Sequence, residues 1–269
     1  MRLRDGFSFK RVWNILALTK TPEEVVFGSW LAPGYSADLD LRDFGMIDCK
    51  LKACPNDLIL DVGCGALGRA LVYFGQKGFR IVGIDISVAA AAEAKRCLRR
   101  LHLPGSVDLV VGDAEYLPFR EGLFDKVLVA SMLSHLPSRR NVSNVLKQVR
   151  LCMKDSGVCF LGWWLNLFSP FSFILVFANR ANFFGKSERI QLLSFKGSRE
   201  IQLMCERAGL SPARVEHGSV FWYVFYLFPK SVHSLNEKLL RVLQDFRTPG
   251  SKFSLPPFFF DVVVQKVVP

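Results

Sequence analysis

Three short apolar runs in this chain each end in glycine and aspartate, and that repetition limits the fold more than any other feature. The first is Leu58–Val62, which runs into Asp61-Val62-Gly63-Cys64-Gly65-Ala66-Leu67-Gly68. The second is Ile81-Val82-Gly83-Ile84-Asp85, and the third ends in Val111-Gly112-Asp113-Ala114. Glycine lets a strand turn sharply into a helix and lets a ligand approach the backbone. Carboxylates at successive strand ends then mark the carboxyl edge of an α/β sheet, where such sheets hold ligands.

The pattern between these runs supports the same class. Strands are expected over 58–62, 80–85, 107–112, 124–130 and 157–162, with helices over 68–77, 88–101 and 138–153 between them. Such alternation implies a Rossmann-like, mostly parallel, seven-stranded α/β sheet with helices on both faces. A helix over 198–209, a strand over 213–217, a helix over 234–246 and a last strand over 258–268 complete it. Residues 1–54 read as an N-terminal helical lid region, with helices in 7–32 and 39–54 around the turn Pro33-Gly34-Tyr35. Residues 55–269 read as one core, whose insertions at about 163–196 and 219–256 would form an aromatic-rich helical cap.

The glycine turn alone leaves a dinucleotide site, a nucleoside site and a plain tight turn open. Asp85 lies at the end of the next strand, where a carboxylate can take both hydroxyls of a ribose, each bond being worth roughly 1.5–3 kcal/mol. It can equally cap the following helix. Asp113 discriminates, because a dinucleotide fold needs a pyrophosphate site at the first helix and no acid after the third strand. Asp113 can accept from an exocyclic amine while the Ala114 N–H meets a ring nitrogen. Sugar plus adenine without phosphate points to S-adenosylmethionine, with Asp61 orienting the loop and compensating the amino group or the sulfonium.

These residues resemble class I S-adenosylmethionine-dependent methyltransferases, of the broad group that includes the ubiquinone and menaquinone C-methyltransferases. The resemblance runs through Asp61–Gly65, Gly83-Ile84-Asp85-Ile86-Ser87, Gly112–Phe119, Phe124–Leu128, Leu133-Ser134-His135-Leu136 and Met153–Gly157, covering about 58–162. It implies cofactor contacts from Asp61, Gly63, Cys64, Gly65, Asp85, Ile86, Asp113, Ala114 and Ala130, with S-adenosylhomocysteine as product. One departure stands out. The family usually places Thr-Gly after Gly-Cys-Gly, but here Ala66-Leu67 stands there and glycine is delayed to Gly68, so a reshaped or longer loop is expected.

Methyl transfer from a sulfonium asks mainly for alignment and exclusion of water. His135, just past the fourth strand, is the candidate base for a phenol or enol, against the alternative that it packs or caps the following helix. Tyr35 is the candidate lid residue. Glu115 and Tyr116 lie near the adenine loop, where an exposed turn explains them nearly as well.

Two aromatic runs, 163–177 and 221–228, fall outside the core alternation. They suit a deep apolar pocket for a hydrophobic or lipid-like acceptor, a homodimer interface, or the underside of a cap. Residues 160–178 carry no charge, but the strand needs the first of them, and Asn166, Ser169, Pro170 and Ser172 interrupt the rest, so no membrane span is expected. Nearby Arg180, Lys186, Arg189 and Lys196 also suit peripheral contact with an anionic membrane.

The net charge of +11 favours an anionic partner without choosing one, which keeps an RNA or protein substrate as the alternative. The basic residues are scattered, and no recognised RNA-binding module accompanies them. A non-catalytic binding protein that kept the fold is the second alternative. Seven cysteines without a C-x-x-C pair read as free, mostly buried thiols in the cytoplasm, with no metal site, and the first residues lack a secretion signal.

Overall fold

The computed structural model describes residues 37–99, 101–165, 193, 195–218 and 259–267. Its centre is a seven-stranded sheet of order β3-β2-β1-β4-β5-β7-β6. The strands are β1 (Leu58–Val62), β2 (Arg80–Asp85), β3 (Val107–Val111), β4 (Phe124–Ala130), β5 (Met153–Leu165), β6 (Leu210–Gly218) and β7 (Phe259–Lys266). Every pairing from β3 across to β5 is parallel, while β7 runs antiparallel to both β5 and β6.

Alternating side chains divide the core between the two faces. Leu60, Val62, Val127, Val129, Cys159 and Leu161 join one buried cluster, whereas Ile59, Leu128 and Phe160 join the other. That is the two-residue period of strands covered on both sides. On the first face lie α4 (Arg139–Cys152), with Val142, Val145, Leu146 and Val149 buried, and α5 (Ser198–Arg207), with Ile201, Met204 and Cys205 buried. On the second lie α1 (Ala37–Leu51) and α2 (Arg69–Gln76), which bury Phe44, Ile47, Leu51, Leu71 and Phe74. Ser87 caps α3 (Val88–Arg99) by accepting from the Ala90 N–H at 3.0 Å, one of the donors a helix start leaves open.

Helix α1 is tied to the sheet by charge as well as packing. Lys50 Nζ reaches Asp261 Oδ2 on β7 at 3.0 Å and lies 5.3 Å from the Phe160 ring centroid. Only 16% of the Lys50 side chain is exposed, so removing Asp261 takes a close carboxylate from a largely desolvated ammonium. Asp261→Ala is expected to lower stability by about 3 kcal/mol, read from the urea midpoint. Lys50→Met, which removes the charge and keeps the length, should cost much less.

Two strands start earlier than expected. β5 starts at Met153 rather than 157 and continues to Leu165, because Asp155-Ser156-Gly157 is taken up in a bulge between the pairs Phe124↔Met153 and Lys126↔Val158. β6 starts at Leu210 rather than 213, and its register shifts between Pro212 and Arg214, which accommodates a proline in a paired strand. Residues 7–32 and 234–246, Tyr35, the second aromatic run and all of the first beyond Leu165 lie outside the described residues. All seven cysteines are free; Cys64, Cys152, Cys159 and Cys205 are buried, whereas Cys49 and Cys54 are exposed. Among the described residues, no helix is long and apolar enough to cross a membrane.

Candidate active site

The glycine turn lies at the carboxyl end of β1 and is held there by β2. Gly63 N–H and Cys64 N–H both donate to the Ile84 carbonyl, at 2.8 and 3.1 Å, and Gly65 N–H donates to Asp85 Oδ2 at 2.9 Å. Asp85 Oδ1 accepts from Ser87 N–H at 2.9 Å. Gly112 N–H donates to the Asp85 carbonyl at 2.9 Å, which ties the end of β3 to the end of β2. Asp61, Gly63, Cys64, Gly65, Asp85, Ile86, Asp113 and Ala114 are thus gathered along one edge, and Ala130 ends the neighbouring β4.

Gly63 has φ +79, and a side-chain Cβ there would stand 2.6 Å from Met132 Cγ. The residues that depart from the family's usual pattern lie at the other end of the turn. Gly68, at φ +53 and ψ 40, is the residue before α2, so the helix opens only at Arg69 and Leu67 stays in the turn. A left-handed residue at that place suits glycine.

Burial and like charge set the electrostatics. Asp61 is only 4% exposed, and its carboxyl is pushed up to about 7 by desolvation and then by the charge of Asp85. No hydrogen bond or cation among the described residues offsets either effect. Desolvation also raises Asp85, against the lowering effect of the N–H groups of Ser87, Gly65 and Ile86. The Cys64 thiol is pushed well up by burial and by both aspartates, so it stays protonated and is no nucleophile. Two carboxylates beside a glycine turn, with no cation among the described residues to balance them, fit a ligand that brings hydroxyls and positive charge.

Asp113 and Glu115 have structural duties as well. Asp113 Oδ1 accepts from Glu115 N–H at 2.9 Å and so caps the turn Ala114–Tyr116. Glu115 accepts from Asn141 Nδ2 at 2.6 Å and Asn144 Nδ2 at 2.9 Å, while Leu117 N–H donates to Gln148 Oε1 at 3.2 Å. One stripe of α4 therefore clamps the 113–117 loop. Tyr116 points outward at 75% exposure.

Past β4 the chain turns through Ser131, whose φ of +61 is rare for a residue with a side chain. Met132 then covers Gly63, and His135 closes the short turn Leu133–His135, its N–H donating to the Met132 carbonyl at 2.9 Å. Desolvation lowers the His135 imidazole to about 4, so it is neutral near pH 7 and a weak base, unlike the ordinary histidine the sequence suggests. Ser131, Met132 and the clamp on Glu115 escaped sequence reasoning. No local residue pattern announces any of them.

Residues 60–161 match the family model described as a methyltransferase domain, the span that carries β1 through most of β5. Over that span the chain is similar to class I S-adenosylmethionine-dependent methyltransferases. Over 109 residues it is 30% identical to the sterol 24-C-methyltransferase of Saccharomyces cerevisiae, a match covering 40% of this chain and 28% of that protein. Over 176 residues it is 26% identical to a demethylmenaquinone methyltransferase of Bacillus cereus, covering 60% of this chain and 73% of that protein. Among solved structures, the geranyl diphosphate C-methyltransferase of Streptomyces coelicolor shares the fold with TM-score 0.64 at 16% identity, covering 98% of this chain and all of that one. The chain thus spans little more than a quarter of the yeast enzyme's length.

Proposed function

We propose that this chain is a methyltransferase that binds S-adenosylmethionine at the β1–β2–β3 edge and transfers the methyl group by in-line displacement to a hydrophobic, lipid-like acceptor. The observation that carries the cofactor is the pair of buried Asp61 and half-buried Asp85, which have no compensating cation among the described residues. When bound, the cofactor supplies a methyl group already activated on a sulfonium. Asp85 engages the ribose hydroxyls, Asp113 and the Ala114 N–H meet the adenine, and Asp61 offsets the positive charge of the methionine end. The backbone of Gly63–Gly65 lets that end approach, with Ile86 and Ala130 flanking it.

On the acceptor side, Ser131 and Met132 begin the wall opposite the glycine turn. His135 is neutral there and serves as a hydrogen-bonding or packing group more readily than as a strong base. A hydrophobic acceptor is supported by the relatives, one named for a sterol and another for demethylmenaquinone. Tyr35 keeps the proposed role of lid residue. Seven free thiols support a reducing, cytoplasmic setting.

The test is incubation with methyl-labelled S-adenosylmethionine and fractionated cell extract. Label should enter the organic-solvent fraction; label found only in RNA or protein would overturn the acceptor class.

Asp61 also makes cofactor binding depend on pH. Its folded pKa of about 7 stands above the ordinary 3.8, so the free protein holds a proton there that the unfolded chain releases. This group's contribution to the stability of the free protein is full below about 3.8 and is lost as pH rises through about 7. A cationic ligand reverses the preference, because it favours the carboxylate. Binding near pH 6 should therefore release up to about one proton, and affinity should fall as pH drops below about 7. Calorimetry of S-adenosylmethionine binding in buffers of different ionisation heat measures that proton, and Asp61→Asn should remove it.

A further inference from the structure

A cavity of about 520 Å³ opens between the first turns of α4 and helix α5, and four cationic side chains line it against one carboxylate. The carboxylate is already committed. Glu200 pairs with Arg139 Nε and accepts the Lys196 backbone N–H at 2.7 Å, while the Arg139 guanidinium lies 5.6 Å from the Phe195 ring centroid. Arg140, Arg207 and the Lys196 ammonium therefore face the cavity with no further carboxylate among the described residues that line it. Like charges gathered on one concave surface repel, and a bound anion relieves that repulsion.

The local sequence of α4 points the same way. Its first turn holds Arg139 and Arg140 and no acidic residue, although the positive end of a helix favours carboxylates there. A chain that breaks this rule while directing both arginines into a cavity is arranged for something outside itself. The volume lies within the range of small-molecule sites and exceeds what a bare phosphate fills. Leu203, 39% exposed, lends the lining an apolar patch for the organic part.

We propose that this groove is a second binding site, which takes a small organic phosphate: a phosphomonoester or diphosphate carrying an apolar group. It does not depend on the cofactor reading, since none of its lining residues belongs to the glycine turn or to the ends of β2 and β3. The same chemistry can arrive as a free phosphorylated molecule or as a lipid headgroup.

Calorimetry with inorganic pyrophosphate, and sedimentation with phosphatidylcholine vesicles with and without phosphatidic acid, tell these sources apart. Arg140→Gln combined with Arg207→Gln removes two exposed cations. Binding should weaken roughly tenfold per arginine, with an unchanged melting temperature. Saturable pyrophosphate binding that the double variant loses establishes a free phosphate ligand. Binding confined to phosphatidic acid vesicles and lost in the same variant establishes the lipid source. Absence of both, binding indifferent to the substitutions, or binding of single-stranded RNA alone overturns the proposal.

Discussion

Gly63→Ala is expected to abolish cofactor binding and to lower stability by about 3 kcal/mol. Two costs combine at this position. The backbone stands at φ +79, where a residue with a Cβ loses roughly 1–2 kcal/mol. The new Cβ would also meet Met132 Cγ at 2.6 Å and Met132 Cβ at 2.9 Å. Because the second contact is at the root of the side chain, a rotamer change alone does not relieve it, and the turn after β4 has to move.

Gly65 supplies the control. It has φ +66, but a Cβ there meets nothing within 4 Å, so Gly65→Ala shows the conformational cost alone, about 1 kcal/mol. Thermal unfolding and calorimetry with S-adenosylhomocysteine report both variants. Met132→Ala added to Gly63→Ala should recover the steric share and leave the backbone share. Equal effects of the two glycine substitutions would falsify the role given to Met132.

Asp85→Ala is expected to weaken S-adenosylhomocysteine binding about 100-fold, the equivalent of about 3 kcal/mol. Part of this loss belongs to the turn itself, since Asp85 holds Gly65 N–H and Ser87 N–H at 2.9 Å each. Part belongs to the ribose, if the carboxylate also takes its hydroxyls. A ligand analogue without the two ribose hydroxyls separates the shares. The parent protein should bind this analogue much more weakly than the natural ligand, and the variant should hardly distinguish the two. A variant that discriminates as strongly as the parent would leave Asp85 with a purely structural duty.

The legible parts of this molecule are those decided by neighbours in sequence. The bounds of β1, β2 and β4 coincide with the expected 58–62, 80–85 and 124–130, because glycine, charge and turn residues close each apolar run. β5 reads short because Asp155-Ser156-Gly157 has turn chemistry, yet its partner β4 absorbs the residues as a bulge. The glycine turn and the positions of Asp61, Asp85 and Asp113 at strand ends follow from local spacing. The duties of these acids do not. Asp113 caps its own turn only two residues on, but the clamp of α4 on Glu115 joins residues up to 29 apart in sequence. The basic groove eluded the sequence for the same reason, since its cations come from two separate helices.

Strand β7 has a consequence for how the chain is made. It fills the place between β5 and β6, pairing Val158–Leu165 on one side and Leu210–Gly218 on the other. During synthesis from the amino end, β1 to β5 can assemble as they emerge, but the outer rim of β5 waits for residues that follow roughly a hundred positions later. Until then β6 has no rail to join, and the half-built sheet offers an unpaired edge to any other nascent chain. Slowing translation ahead of residue 259 should therefore increase aggregation of this protein, and a chaperone that shields strand edges should suppress it.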